Sequence, residues 1–222
     1  MMNNLLSQLQ EYFWYNQPIK ILDQHQRKTT MIALQNYFPN DEYLQWEEQQ
    51  NEKHEYVNGE IYAMAGASEN HVIITDNFSA ILVTQLRGNQ CRSFSSDMKV
   101  NILEKSIYYY PDLLVTCDPR DRQNKQYKSY PCLIIEVLSE STEARDRGAK
   151  FAHYQTLESL QEYVLVSQWE KRVEVFRRTD RQFWLLQTLT DDDIIELQSI
   201  NLSIPVTAIY EGVDLSPDLT SV

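Results

Sequence analysis

The sequence is poor in glycine, and this scarcity excludes two common kinds of nucleotide-binding site. The chain of 222 residues has only 5 glycines, and no two of them stand two, three or five positions apart. The G-x-G-x-x-G motif and the G-x-x-x-x-G-K loop both need glycines at such spacings, because the backbone must approach the phosphates closely. Nucleotide-dependent chemistry of these two kinds is therefore excluded.

Cysteine and histidine are also scarce. The three cysteines, Cys91, Cys117 and Cys132, are odd in number and have no C-x-x-C spacing. We therefore expect reduced, mostly buried thiols rather than a disulfide framework or a zinc site. The four histidines are scattered, with no H-E-x-x-H motif, and there is no G-x-S-x-G elbow. A zinc protease and that form of serine hydrolase have no support in the sequence.

Long apolar runs and a positive charge balance are missing as well. No run reaches the ~18 apolar residues of a membrane span. The first 11 residues lack the basic segment and apolar block of a signal peptide. We therefore expect a cytoplasmic protein without a membrane partner. The 32 acidic and 20 basic residues give a net charge of -12, which argues against a surface that coats nucleic acid.

The pattern along the chain predicts an N-terminal extension over residues 1–37 and a single domain over residues 38–222. The first 28 residues are rich in Gln and Asn without a clear period, and Met31 is an alternative start. The order from residue 40 onward is helix, hairpin, helix, several strands, helix and strands. This order predicts one α/β or α+β domain, and residues 194–215 should pack on its body.

Individual elements follow from turn chemistry and periodicity. Asn58-Gly59 between two strand-like runs predicts a type I′ hairpin. Ser68 should cap a helix that ends at Gly88, because apolar residues recur between them at helical spacing. The other expected elements are a helix from residue 40 or 41 to 49, a half-buried strand over 98–102, one strand over 107–115 in a hairpin with it, a solvated loop over 118–130, a central strand over 132–138, a helix over 141–157, and strands over 162–168, 172–178 and 183–189.

Two carboxylates stand where acids are costly. Asp112 follows Pro111 in a run of tyrosines and aliphatic residues, and Glu136 interrupts an apolar strand. An unpaired carboxylate in an apolar interior costs several kcal/mol, so a cation, a basic partner or a proton must compensate it. If the two strands are neighbours, a divalent metal that prefers oxygen ligands would remove the repulsion between the acids. Placement at strand ends or pairing with Arg or Lys is the alternative.

At these residues the sequence resembles a known family. Pro111-Asp112 followed by Glu136-Val137-Leu138 resembles the PD-(D/E)XK nuclease superfamily, and the region from about residue 41 to 215 resembles the Uma2-type restriction-endonuclease-like proteins, which are expanded in cyanobacteria. The other matching stretches are 56–64, 96–100 and 146–154. The resemblance implies a central mixed β-sheet flanked by helices and a magnesium-dependent phosphodiesterase site. Residues 1–37 lie outside it.

The resemblance also implies roles for particular residues. Asp112, Glu136 and the backbone carbonyl of Val137 would hold Mg²⁺, with Mn²⁺ as an alternative. Leu138 stands where the superfamily motif has its lysine, and Lys150 in the following helix is the best substitute. The alternative reading of Lys150 is a surface ion pair with Asp146, four residues earlier on the helix.

Four further residues have weaker support. His71, at the start of the apolar face of its helix, should point toward the core or the sheet, as a structural histidine or as a contact to phosphate or water. Glu60 is a solvated strand residue by its spacing, whereas the resemblance implies an extra acid for the metal. Lys99 is the reserve lysine, and Asp97 on the same strand face is taken as structural.

The leading hypothesis is a metal-dependent endonuclease that acts on nucleic acid, with DNA the first candidate, as a homodimer or higher oligomer. Against the acidic total stand seven basic residues near the expected site, namely Arg120, Arg122, Lys125, Lys128, Arg145, Arg147 and Lys150. They could provide a local strip for phosphates. The alternative hypothesis is an inactive protein of the same fold that binds partners or oligomerises.

Overall fold

A computed structural model describes residues 38–102, 106–180 and 183–216, so the predicted N-terminal extension lies outside the described residues. The helices in chain order are α1 (Tyr43–Glu47), α2 (Glu69–Gln85), α3 (Glu143–Arg145), a π-helical turn (Asp146–Lys150), α4 (Phe151–Tyr154) and α5 (Val206–Ile209). The strands are β1 (His54–Val57), β2 (Glu60–Ala63), β3 (Arg92–Ser95), β4 (Lys99–Ile102), β5 (Ile107–Tyr109), β6 (Leu113–Thr116), β7 (Tyr127–Lys128), β8 (Leu133–Val137), β9 (Glu162–Val166), β10 (Arg172–Arg178), β11 (Trp184–Thr190), β12 (Ile194–Leu197) and β13 (Leu202–Pro205).

A six-stranded mixed sheet carries the main core. Its order is β11-β10-β9-β8-β6-β3, and β8 pairs parallel with β9 and antiparallel with β6. Every residue of β8 is buried, which confirms the central strand predicted from its apolar run. Helix α2 covers one face through Ile74, Phe78 and Leu82. The tail from β12 to α5 joins the same core, as its apolar pieces predicted.

A five-stranded sheet of order β2-β1-β5-β4-β7 begins with the predicted hairpin. Val57 pairs with Glu60, and both turn residues have positive φ, 50° at Asn58 and 98° at Gly59, as a type I′ turn requires. The predicted antiparallel pair of β4 and β5 is also present. The prediction of a half-buried β4 is wrong, because Lys99 and Asn101 are buried as well as their apolar neighbours.

The single strand predicted over residues 107–115 is broken in two. β5 ends at Tyr109 in the five-stranded sheet, and β6 begins at Leu113 in the six-stranded sheet. Pro111 lies in the gap, and proline has no N–H with which to continue a ladder of hydrogen bonds. The chain therefore crosses from one sheet to the other at Tyr110-Pro111-Asp112, which places Asp112 at the junction between them.

The helices agree with the predictions in position and differ in detail. The Ser68 hydroxyl accepts a hydrogen bond from the His71 amide, which confirms the cap of α2. α1 is shorter than the predicted helix, and the predicted loop over 118–130 contains a 3₁₀ turn at Pro119–Arg122 and the short strand β7. None of the helices within the described residues has the length and apolar character that crossing a bilayer requires.

The prediction of three reduced thiols is wrong, because Cys91 and Cys117 form a disulfide bond. The antiparallel pairing of β3 with β6 sets Arg92 opposite Thr116, so the residues just outside this pair face each other with a Cα–Cα distance of 3.9 Å. Spacing along the chain could not reveal this register. Cys132 remains a free, buried thiol, and its Sγ lies 3.7 Å from Sγ of Cys117.

Candidate active site

A cavity of about 600 Å³ opens where the two sheets meet. This volume is within the range of small-molecule and cofactor sites. Asp112 comes from the crossing between the sheets, Glu136 and Val137 from the end of β8, Lys150 from the π-helical turn and His71 from α2. Residues from four separate parts of the chain thus converge on one concave surface, and five of the six residues predicted to serve the site line it.

Asp112 and Glu136 interlock through the backbone. Leu113 pairs with Ile135 across β6 and β8, so the residues beside this pair are neighbours. Asp112 Oδ2 accepts a hydrogen bond from the Val137 amide at 2.7 Å, and the Asp112 amide donates to Glu136 Oε2 at 3.3 Å. The structure therefore brings together the two acids that the sequence singled out, and it fixes both by main-chain hydrogen bonds.

Lys150 is the cation of this acidic group. Its Nζ lies 2.9 Å from Glu136 Oε1, 3.1 Å from Glu55 Oε1 and 3.5 Å from Asp146 Oδ1. Lys150 and Asp146 are only 6% and 2% exposed, so the reading as a surface ion pair is wrong. Burial alone would lower the pKa of Lys150, but the carboxylates of Glu136, Glu55 and Asp146 raise it well above its usual value. Lys150 is therefore positively charged at neutral pH.

The pKa values of Glu136 and Asp146 are raised above their ordinary values. Burial away from water raises the pKa of Glu136 well above its ordinary range, Asp146 and Asp112 add to the increase, and Lys150 opposes it. Burial also raises the pKa of Asp146. The Tyr154 hydroxyl donates a hydrogen bond to Glu136 Oε1 at 3.1 Å. Both carboxyls thus retain protons more strongly than ordinary side chains do, and a further cation would relieve them.

His71 contacts Asp112 directly. Its Nε2 lies 2.9 Å from Asp112 Oδ1, and the cap at Ser68 fixes the first turn of the helix from which it projects. Within the described residues, the buried Nδ1 of His71 has no hydrogen-bond partner. One ring nitrogen therefore holds the aspartate, while the other is buried away from the cavity surface.

Sequence reasoning missed Glu55, and it named Arg145 only as a basic residue near the site that could contact phosphates. Glu55 is buried in β1, pairs with Arg145 at 2.7 Å and with Lys150 at 3.1 Å, and accepts a hydrogen bond from the Tyr110 amide at 3.3 Å. The signal available in the sequence was the alternation within the hairpin, because Glu55 faces the same side as Glu60. Glu55 thus takes the place in the cavity that the resemblance had suggested for Glu60.

Three of the weaker candidates are not brought to the cavity. Glu60 is exposed beside the hairpin turn, where its carboxylate accepts a hydrogen bond from the Tyr62 hydroxyl, and it does not line the cavity. Lys99 is buried against the Tyr110 ring, with its Nζ 5.0 Å from the ring centroid. Asp97 is an exposed partner of Lys53 at 2.7 Å, in keeping with a structural role.

The donor set fits a divalent cation in chemistry and in charge. Four carboxylates meet two cations at the base of the cavity, namely Glu55, Asp112, Glu136 and Asp146 against Arg145 and Lys150. The remaining negative charge is buried, and carboxylate and carbonyl oxygens are the ligands that Mg²⁺ and Mn²⁺ prefer. Within the described residues no three His, Cys, Asp or Glu side chains are grouped as metal ligands, so a metal here would also use backbone oxygen or water.

This combination of fold and site defines a class. A central mixed sheet flanked by helices presents two acids at the ends of adjacent strands and a lysine from the next helix, and this arrangement is a restriction-endonuclease-like α+β fold.

The family follows from comparison with known proteins. The family model of Uma2, described as "Putative restriction endonuclease", matches residues 40–207, which is well over half of the chain. The chain therefore belongs to the Uma2 family.

The chain is also similar to relatives of known sequence. Two proteins of Synechocystis sp. (strain PCC 6803) bear the names "Uncharacterized protein slr1290" and "Uncharacterized protein sll1609". They are 47% and 42% identical to this chain over 78% and 73% of its length, and the matches cover 90% and 93% of the relatives. The similarity therefore extends over nearly the whole of each relative.

A solved structure shares the fold. It is the crystal structure of a protein from Anabaena variabilis described as "a putative nuclease belonging to DUF820". The TM-score is 0.64 at 17% sequence identity, and the match covers 78% of this chain and 97% of the other. At this identity the likeness shows the fold alone.

Proposed function

We propose that the protein is an endonuclease that hydrolyses phosphodiester bonds in nucleic acid, with DNA as the first candidate substrate. The observation that carries the proposal is the position of Lys150. The superfamily motif requires a lysine where this chain has Leu138, and Lys150 supplies an ammonium group 2.9 Å from Glu136, in the cavity that Asp112 also lines. The three groups of the motif are therefore present together, although one of them comes from a different element.

Asp112, Glu136 and the carbonyl of Val137 would hold the metal ion, Mg²⁺ or Mn²⁺. A bound ion of this kind supplies Lewis-acid polarisation of a phosphoryl oxygen and a water of lowered pKa. The surplus of buried carboxylates over cations supports this assignment, because an added divalent charge would compensate it. Protonation of Glu136 or Asp146 is the competing way to compensate the same surplus.

The side chains of the protein would orient and stabilise the reacting groups. Lys150 keeps its positive charge and can stabilise negative charge that develops on the phosphate. His71 and the Val137 amide hold the two oxygens of Asp112 from opposite sides, which fixes the carboxylate before substrate binds. Arg145 holds Glu55 beside Lys150.

A cleavage assay on plasmid, single-stranded DNA and RNA tests the proposal. The assay compares Mg²⁺, Mn²⁺, Ca²⁺ and chelator for the wild type and Asp112→Ala. We expect chelator-sensitive cleavage that falls at least about 100-fold in the variant, the order of loss for a group that stabilises the transition state electrostatically. Lys150→Ala should lose activity similarly.

Glu162→Ala is the matched control. Glu162 is a buried glutamate outside the cavity that pairs with Arg177 at 2.9 Å and accepts hydrogen bonds from the amides of Gln198 and Ser199. It controls for the loss of a buried, hydrogen-bonded acid, and it should keep its activity under conditions where it is folded. Equal activity in the wild type and Asp112→Ala, or no cleavage with any metal, contradicts the proposal.

An inactive interaction module is the second candidate, and one observation favours it. β11 is an edge strand of the six-stranded sheet, and it and its flank expose Phe183, Leu185 and Leu186 by 68%, 59% and 48%. An apolar edge strand is a template for pairing with another strand, and we propose a second copy of this chain as its partner. Light scattering tests this candidate. A monomer at micromolar concentration argues against a stable homodimer or higher homo-oligomer.

A further inference from the structure

A second, smaller pocket of about 90 Å³ lies beside the active-site cavity and is rich in basic side chains. It is lined by Gln90, Arg92, Phe94, Met98, Thr116, Asp118, Asp121, Arg122, Lys125 and Lys128. Arg92 and Phe94 alternate with serines on β3, so both point to the same side of this edge strand. Positive charge is thus concentrated at one edge of a protein whose net charge is -12.

Five of the seven basic residues near the active site form ion pairs or hydrogen bonds with other residues of the protein. Arg145 and Lys150 pair with Glu55, and Arg147 pairs with Glu143 and Glu174. Arg120 pairs with Asp118, and Lys128 donates to the carbonyls of Asp121 and Asn124. Arg122 and Lys125 of the seven remain for a ligand, although Arg122 also donates one hydrogen bond to the Gln90 carbonyl at 3.3 Å, and the structure adds Arg92 to them.

The three cations are not neutralised by the acids around them. Among the described residues, no carboxylate lies within 4.0 Å of a charged nitrogen of Arg92, Arg122 or Lys125. The acids of the pocket are occupied, since Asp118 holds Arg120 and Asp121 accepts three hydrogen bonds. Burial lowers the pKa of Lys128, the charge of Asp121 opposes this decrease, and the charges of Lys125 and Arg92 add to it. The pocket therefore has an uncompensated positive potential.

The pocket lies directly beside the active site. Ser96 lines the large cavity and Met98 lines the small one, and the turn between β3 and β4 carries both. Two residues of chain span at most about 7 Å, which is roughly the distance across two nucleotides of one strand. A strand that leaves the large cavity along this edge would therefore meet Arg92, Arg122 and Lys125 within a few nucleotides of the cleaved bond.

We propose that this basic pocket binds the phosphates that flank the cleaved bond of a nucleic acid strand, with Arg92, Arg122 and Lys125 as the contacts. This inference rests on the proposed endonuclease function and names the surface that would hold its substrate. An extended polyanion fits because the charges lie along an edge strand next to the catalytic cavity, whereas most of the molecule repels such a ligand. The three residues position the substrate and do not take part in the chemistry.

The test is the salt dependence of binding, measured by fluorescence anisotropy with labelled duplex and single-stranded DNA in chelator and in Ca²⁺. Each phosphate contact contributes about 0.9 to the slope of log K against log salt on duplex and about 0.7 on a single strand. Lys125→Gln should reduce the slope by about one contact, and the Arg122→Gln, Lys125→Gln double variant by about two. Cleavage at saturating substrate should stay unchanged while KM rises.

Lys171→Gln is the matched control. It also removes one lysine charge, but Lys171 lies at the start of β10 and pairs with the exposed Asp191 at 2.8 Å. Its slope should equal that of the wild type.

The outcomes separate this inference from the function on which it rests. If the salt slopes of Lys125→Gln and of the double variant equal the slope of the wild type, and cleavage is intact, the proposed role of the pocket is wrong. The endonuclease proposal is then unaffected. If the slopes change as expected but no cleavage is observed, phosphate binding by the pocket is supported and the proposed endonuclease activity is contradicted. Failure of the wild type to bind any nucleic acid overturns the pocket, and the cleavage assay then decides the function separately.

Discussion

Glu136 is a buried carboxyl group whose pKa is raised well above its ordinary value by its burial. It is 3% exposed in the middle of the six-stranded sheet, and its stabilising contacts are the Lys150 ammonium, the Tyr154 hydroxyl and the Asp112 amide. Because burial raises its pKa, the folded protein binds a proton at Glu136 more readily than the unfolded chain does. The stability that this residue contributes is therefore greatest at low pH, below the ordinary carboxyl value of 4.5, and is lost as pH rises through the raised pKa.

Glu136→Gln should accordingly stabilise the metal-free protein, and the gain should grow with pH. Each unit by which the pKa is raised corresponds to about 1.4 kcal/mol at a pH above both values. Denaturant unfolding between pH 5 and pH 8, in chelator, measures the free energy of unfolding of the variant and the wild type. Added Mg²⁺ should reduce the difference by stabilising the wild type alone.

The control for this measurement is Glu174→Gln. Glu174 is also a buried glutamate, but it pairs with both Arg147 and Arg172, so its loss should lower the stability at neutral pH. A stability difference between the wild type and Glu136→Gln that stays flat or reverses between pH 5 and pH 8 would contradict the account of Glu136.

At the residue scale, the sequence predicted the acids that break an apolar pattern and missed those that do not. Asp112 and Glu136 were detectable because a charge in an apolar run needs a partner. Glu55 lies in a short strand with His54 and Tyr56, where a glutamate is unremarkable, and only the fold shows that it is buried. Glu60 faces the same side of the hairpin as Glu55, but it lies at the turn end, where it pairs with Val57. Glu55 pairs with Tyr62, farther from the turn.

At the scale of elements, the π-helical turn determines where Lys150 points. The predicted helix over 141–157 is present as α3 and α4, joined by this turn, and Asp146 and Lys150 at its two ends are both buried. A π-helical turn changes the angular spacing of side chains relative to an α-helix and is often found at functional sites. Periodicity predicted the helix but contained no information about this change.

Gly148→Ala should stabilise the protein by about 0.5–1 kcal/mol, because alanine lowers the conformational entropy of the unfolded chain. Nothing lies within 4 Å of the position that its Cβ would occupy, and Gly148 has no positive φ. Gly59→Ala is the comparison, since Gly59 has a φ of 98° in the hairpin turn and the same substitution there should destabilise. Thermal unfolding of both variants measures the contrast, and a loss of stability in both would contradict the prediction.

Pro111 marks the limit of prediction for the strands. The run of apolar and aromatic residues from Ile107 to Val115 predicts one strand, and it does not reveal that its two halves belong to different sheets. That choice depends on pairing with β1 and β4 on one side and with β3 and β8 on the other. The pairing of β5 with β4 is local and was predicted, but the pairings with β1, β3 and β8 are distant in sequence, so local patterns could not indicate them.

At the scale of the whole molecule, the Cys91–Cys117 disulfide constrains the unfolded chain. It closes a loop with a sequence separation of 26, which corresponds to about 3.5 kcal/mol of stabilisation at 25 °C in the chain-entropy description. Cys91→Ser with Cys117→Ser should lose about this free energy of unfolding. A thiol reductant should lower the stability of the wild type to a similar extent and leave the double variant unchanged, as denaturant unfolding would show.

Cys132→Ala is the control, because Cys132 is buried but takes no part in the bond. This variant should remain sensitive to reductant. A wild type whose unfolding midpoint is the same with and without reductant would contradict the prediction.

The same bond makes part of the chain a covalent ring. Residues 91–117 contain β3, β4, β5 and β6 and carry Asp112, and the ring passes through both large sheets. A single proteolytic cut anywhere inside it yields one molecule in two pieces that still share a bond. Such a nicked protein would migrate as full-length in a non-reducing gel and as two fragments after reduction.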